Sequence, residues 1–186
     1  MGVEVRTITE DELEAWGRSM ARGFMHVSPA EGDHEFRRGH TELDRAWAAF
    51  DGTSVVGTLR SFPTPLTLPG GASVTSAALT AVTVTATHRR QGLLTRMITG
   101  DLDSSFDKGE PVGILIAAEY PIYGRFGYGS AADHNILKLD VSRTRWVRVA
   151  EGTVELVDEA TARKEAPAVY ERFRAQQPGA IGRDER

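Results

Sequence analysis

Val84-Thr-Ala-Thr-His-Arg-Arg-Gln-Gly-Leu-Leu94 is the stretch on which the reading of this chain turns. It continues a Val- and Thr-rich run, Ser76 to Val84, that reads as a β-strand. It leads into Leu93, Leu94, Met97, Ile98, Leu102 and Phe106, which recur at helical spacing from Gln91 to about Phe106. Strand, turn and helix thus meet at Arg89, Arg90 and Gly92. The first amides of a helix have no internal partner, and the helix dipole favours negative charge there. Adjacent guanidinium groups add charge and donors. The turn is therefore an expected anion site, and its ligand is expected to carry phosphate.

Outward from this point the pattern continues on both sides. Lys108-Gly109 closes the helix, and Gly100 inside it marks a place of close packing. Val112-Gly-Ile-Leu-Ile-Ala-Ala118 is a continuous apolar run, expected as a strand buried on both faces and parallel to the strand before the helix. Upstream, Val3–Ile8 alternates as a short strand. Thr9 and Glu12 have capping-box spacing, and Leu13, Trp16, Met20 and Phe24 share one helical face. Asp51-Gly52 joins a hairpin of Trp47–Phe50 and Ser54–Phe62. Pro63, Pro65 and Pro69 punctuate the next segment, so Leu66–Leu68 is expected as a separate short strand. The segment 25–38 reads as a loop or weak helix, and Pro121–Gly129 as a turn-rich loop or a helical turn. His134–Val141 and Val154–Val157 read as strands. Pro167 reads as a helix start, and residues 177–186 as a frayed tail. The class is α/β (α+β) on a mixed sheet.

Bulk properties narrow the function. The 186 residues carry a formal net charge of −4, which weighs against a nucleic-acid partner. No Cys is present, so disulfides, thiolate metal sites and Cys nucleophiles are excluded. No apolar run spans a membrane and the N-terminus lacks signal-peptide features, so the expectation is a cytoplasmic protein without a membrane partner. His26, His34 and His40 are too irregularly spaced for a metal site. There is no G-x-x-x-x-G-K-[ST] and no G-x-G-x-x-G after a strand.

Arg89-x-x-Gly92 after Val82-Thr83-Val84 is similar to the pyrophosphate loop of the Gcn5-related N-acetyltransferases (GNAT), whose R/Q-x-x-G-x-G/A signature holds the diphosphate of acetyl-CoA. The last position of that signature is Leu94 here. A second block, Ala118-Glu-Tyr-Pro-Ile-Tyr-Gly-Arg-Phe-Gly-Tyr-Gly129, joined with Thr87–Leu94, resembles the N-terminal acetyltransferase domain of the Eis (enhanced intracellular survival) family. The resemblance covers Leu66 to Gly129 and extends to Tyr170-Glu-Arg and Pro178-Gly near the end. It implies a GNAT fold whose central sheet splays apart at the cofactor site. Residues 1–150 would form that domain, and 151–186 would begin a linker or second domain of a longer chain.

The resemblance implies acetyl-CoA as cosubstrate and a primary amine as acceptor: an aminoglycoside, a polyamine or a lysine side chain. It places cofactor contacts at Val82, Thr83, Val84, Arg89, Arg90, Gln91, Gly92, Leu93, Leu94, Thr95, Ala118 and Glu119, largely through backbone amides. It puts the family's general-acid tyrosine at Tyr123; the other reading of Tyr123 is a core aromatic. Glu119 either binds or deprotonates the amine or caps the next turn, and His88 is expected to be a turn residue. Position 118 is often Ser in the family and is Ala here. In the family a distant C-terminal carboxylate acts as base. This chain ends at Arg186, so no base is named. Eis-like proteins also suggest a homo-oligomer. The competing expectation is a catalytically silent acyl-CoA-binding or assembly module.

Overall fold

The computed structural model of the chain describes residues 2–26, 33–133, 135–145, 147–148 and 151–183. Its frame is one five-stranded sheet in sequential order: β1 (Glu4–Thr7), β2 (Ala46–Asp51), β3 (Ser54–Thr67), β4 (Ser73–Val84) and β5 (Val112–Leu115). Neighbours are antiparallel up to β4, and β4 and β5 are parallel. Helix α1 (Leu13–Gly23) follows β1, and α2 (Asp33–His40) precedes β2. Helix α3 (Leu93–Asp107) links the parallel pair, as the strand–helix–strand pattern requires.

Side-chain alternation sorts the core to the two faces of the sheet. Ala46, Ala48 and Phe50 of β2 join Leu13 and Trp16 of α1 on one face. Ala49 joins Val56, Leu59, Met97 and Ile98 on the α3 face. At the start of α1 the Thr9 amide donates to the Glu12 carboxylate at 2.9 Å, the expected capping box. Gly100 has the expected packing reason: a Cβ there would lie 2.5 Å from the Trp47 ring. On the same helix, buried Asp101 accepts from the Ser61 hydroxyl at 2.6 Å, fixing α3 over β3.

Several expectations need correction. Leu66–Leu68 is not a separate strand; β3 runs unbroken through Pro63 and Pro65 to Thr67. Both prolines turn their missing N–H away from β4, so the ladder survives them. The run 112–118 is a strand only to Leu115 and is half-buried, with Ile116 98% exposed, because β4 is the only strand it pairs with among the described residues. Residues 135–141 and 154–157 form no strand. Their apolar side chains, such as Ile136 (78%) and Leu137 (91%), stand exposed, and alternation alone makes no ladder without a neighbour. His134 lies outside the described residues.

Pro167 sits inside α4 (Glu159–Arg174), which starts instead at the Asp158 cap, whose carboxylate accepts from the Thr161 amide at 2.8 Å. Of the tail 177–186, residues 179–182 are not frayed but lie along β3, where Ile181 bridges Leu66, and 184–186 lie outside the described residues. The segment 25–38 includes part of α2, and 27–32 fall outside the described residues.

Candidate active site

The site begins where the β4–β5 pairing ends. The two strands are in register from Ser76–Val112 to Leu79–Leu115 and no further. Just past that point Ala81 takes a left-handed backbone, φ 57°, and the register with β3 slips between Thr58 and Arg60. This bulge bends β4 as its parallel partner stops. Beyond it the Thr85 amide donates to the Val56 carbonyl at 2.8 Å, and Val84 stands opposite Gly57. By alternation the amides of Val82 and Val84 then point away from β3, into the side that β5 has vacated. Thr83 faces the other way: its hydroxyl meets the Thr58 hydroxyl at 2.8 Å in the buried interior.

The turn after β4 folds back on the strand. Arg89 Nε donates to the Val84 carbonyl at 3.3 Å. Arg90 and Gly92 both adopt left-handed backbone, φ 62° and 73°, and Gly92 caps α3. Left-handed residues at a turn gather successive amides into an anion-binding concavity. The Arg96 amide takes the Gly92 carbonyl as the first helical bond at 3.1 Å, which leaves the amides of Leu93, Leu94 and Thr95 at the open helix end. Leu93 and Leu94 turn their side chains into the core, so they can offer a ligand only backbone. Arg89, Arg90 and Gln91 are exposed around these amides. His88 is a turn residue, as expected: Nδ1 lies 2.8 Å from the Thr87 hydroxyl and Nε2 3.3 Å from Asp51.

From the splay point a cleft of about 990 Å³ opens. Leu79 to Val82 of β4, Ile114 to Ile116, Ala118 and Tyr123 line it. Two single 3₁₀ turns, Tyr120–Ile122 and Gly124–Phe126, carry Tyr123 between them. Its ring meets Tyr128 edge-on at 6.1 Å, so it is both a core neighbour and a cleft residue. Burial pushes the Tyr123 phenol above its ordinary value, and the Glu119 carboxylate adds to this. Tyr128, deeper, is pushed up to about 12 by burial. A phenol held protonated in a cleft can donate a proton or hydrogen bond to a ligand atom.

The structure thus gathers Val82, Ala118 and Tyr123 on one cleft, with the Arg89–Thr95 turn at the end of the same strand. Sequence reading missed the other wall: Phe24, Phe62, Leu66, Tyr170, Phe173 and residues 177–181. The only sequence signal for it was the Tyr170-Glu-Arg and Pro178-Gly resemblance. Among the described residues no cluster of three or more His, Asp or Glu could hold a metal, and no helix is long and apolar enough to cross a membrane.

Residues 4–131 match the acetyltransferase (GNAT) domain family. The chain belongs to this family. It is 46% identical to an uncharacterized N-acetyltransferase of Streptomyces avermitilis, over 99% of this chain and 46% of that protein. It is 40% identical to the N-acetyltransferase Eis of Mycobacterium tuberculosis, over 70% of this chain and 34% of Eis. Eis1 of Mycobacterium abscessus superposes with a TM-score of 0.77 at 30% identity, over 99% of this chain and 46% of that one. The expected GNAT fold and Eis-like kinship are borne out. The chain spans about half the length of these relatives, or less.

Proposed function

We propose that this GNAT-family domain transfers the acetyl group of acetyl-CoA to a primary amine. One observation carries the reading. A strand that loses its parallel partner runs straight into a turn whose left-handed Arg90 and Gly92 gather the amides of α3, and Tyr123 lines the gap so made. These parts fit a long ligand with an anionic end and a reactive end. In this reading the amides of residues 90–95 hold the diphosphate, with Arg89 and Arg90 adding charge. The Val82 and Val84 amides, free of β3, bond the pantetheine and the developing oxyanion. Thr83 contributes backbone alone, since its hydroxyl is spent on Thr58. Ala118 borders the thioester end, and Glu119 lies near enough to attract an ammonium while raising the Tyr123 phenol.

Bound acetyl-CoA would supply the thioester carbonyl. Tyr123 then holds a proton at its hydroxyl for the departing sulfur, and burial keeps that phenol in its protonated form at neutral pH. Residues 1–150 are proposed as this catalytic unit, and 151–186 as the beginning of a linker or second domain. A cytoplasmic setting and a homo-oligomer complete the proposal.

The test is release of free thiol from acetyl-CoA with a panel of amines that includes an aminoglycoside, a polyamine and a lysine peptide. Amine-dependent thiol release is the expected result. CoA binding without turnover on any amine would favour a silent acyl-CoA-binding module.

A further inference from the structure

A general acid works only where its proton points at the leaving atom. The Tyr123 hydroxyl makes no hydrogen bond among the described residues, so the packing of its ring sets that direction. The loop that carries Tyr123 closes on itself. The Tyr123 carbonyl accepts from the Phe126 amide at 3.0 Å and from the Tyr128 amide at 3.4 Å, and the Gly124 carbonyl accepts from the Gly127 amide at 3.1 Å. Gly127 has a left-handed backbone, φ 90°, which a side chain would strain. This turn brings Tyr128 back against Tyr123, with the rings edge-on at 77° and their centres 6.1 Å apart.

Tyr128 in turn has a fixed seat. A Cβ at Gly113 would lie 2.9 Å from the Tyr128 hydroxyl oxygen, and 3.2 and 3.3 Å from two of its ring carbons. The ring therefore rests on the β5 backbone at a residue whose missing side chain leaves room for it. Gly113 pairs with Ala77 of β4, just before the register of the two strands ends at Leu79 and Leu115. A line of contact thus runs from the paired part of β5, through Tyr128, to the tyrosine lining the gap where the pairing stops. The covalent route between the same points passes through Ile116 and Tyr120, both exposed, and does little to hold the loop.

We infer that Tyr128 is a positioning residue for the transfer reaction: seated on Gly113, its ring aims the Tyr123 hydroxyl at the reacting end of the cleft. The inference rests on the acid role proposed for Tyr123, and its own content is what holds that acid in place. The ring does the positioning, since a phenylalanine at 128 would keep the edge-on contact.

Variants of the full chain, each checked by circular dichroism, separate the two. Turnover is followed as thiol release from acetyl-CoA with the amine panel, and CoA affinity by calorimetry. Tyr128→Leu should lower kcat about tenfold while KM for acetyl-CoA and Kd for CoA stay within about twofold. Tyr128→Phe should keep the rate within about twofold of the unmodified chain. Gly113→Ala should lower kcat about fivefold by pushing the ring off its seat. Adding Tyr128→Phe removes the atom that the new methyl group meets first and should recover most of that loss; this pair decides the matter if Tyr128→Leu fails to fold. In a Tyr123→Phe background, Tyr128→Leu should cost less than about twofold more, because no acid is left to aim. An equal loss from Tyr128→Leu with and without the Tyr123 hydroxyl would overturn the inference and leave the acid role standing. So would a loss that falls on CoA affinity instead of kcat, or a Gly113→Ala defect that Tyr128→Phe does not relieve. Tyr123→Phe turning over at the full rate, or no thiol release with any amine, would sink the acid reading itself and the inference with it.

Discussion

Replacing Arg90 with glutamate reverses one charge beside the start of α3 while leaving the fold alone. Arg90 is exposed, and its left-handed backbone suits Glu no worse than Arg, so the change in stability should stay within about 0.5 kcal/mol. The binding effect can be worked from Coulomb's law. A unit charge pair about 4 Å apart in a water-like medium is worth about 1 kcal/mol. Reversal converts one attraction into one repulsion, a change of about 2 kcal/mol, or about 30-fold in Kd. The assay is titration of CoA against pantetheine, which shares the thiol arm and lacks the diphosphate. CoA affinity should fall about 30-fold and pantetheine affinity should hardly move. The difference should shrink as salt is raised, because the site is exposed. An unchanged Kd for CoA, or an equal loss for both ligands, would refute the assignment of the diphosphate to this turn.

Tyr123→Phe removes the proton held in the cleft but keeps the ring against Tyr128. Turnover should fall about 100-fold or more with CoA affinity retained, and an equal loss of both would remove Tyr123 from the acid role. Because burial raises the Tyr123 phenol, its acid form is the majority species up to at least its ordinary value near 10, so no activity loss from this group should appear below that pH. A second pH effect belongs to stability. Hydrogen bonds from Arg6 pull the Glu12 carboxyl down to about 2, below its unfolded value, so the stabilisation is complete at neutral pH and is lost as pH falls toward 2. Glu12→Gln should flatten the melting temperature over that acid range, and an unchanged slope would refute the link. Gly100→Ala drives a methyl group to 2.5 Å from the Trp47 ring; denaturant melts should show a loss of about 1–3 kcal/mol despite alanine's better helix propensity, and a stabilised variant would refute the close packing.

What the sequence revealed was set by short-range chemistry. The strand–turn–helix unit was legible because Val84, Arg89, Gly92 and Leu93 declare it within a few residues. The Thr9–Glu12 cap and the Gly100 contact were legible for the same reason. Pro63 and Pro65 misled because a proline reads as a breaker until the open side of its strand is known. Here that side faces residues 179–182, which approach by donating to the Pro65 carbonyl and bonding Thr67 through both its amide and its carbonyl. The start of α4 was lost because Pro167 outweighed the better signal, the Asp158 cap. The bulge at Ala81 has no mark in composition at all, and the aromatic wall joins residues from Phe24 to Phe173 that only the fold brings together.

The central claim, that a cofactor diphosphate sits on the amides just beyond β4, is tested most directly by a crystal structure with CoA. Phosphate oxygens are expected about 2.7–3.2 Å from main-chain nitrogens within residues 90–95, with the sulfur directed along the cleft to the Tyr123 hydroxyl. CoA ordered elsewhere on the protein, with those amides facing only solvent, would contradict it.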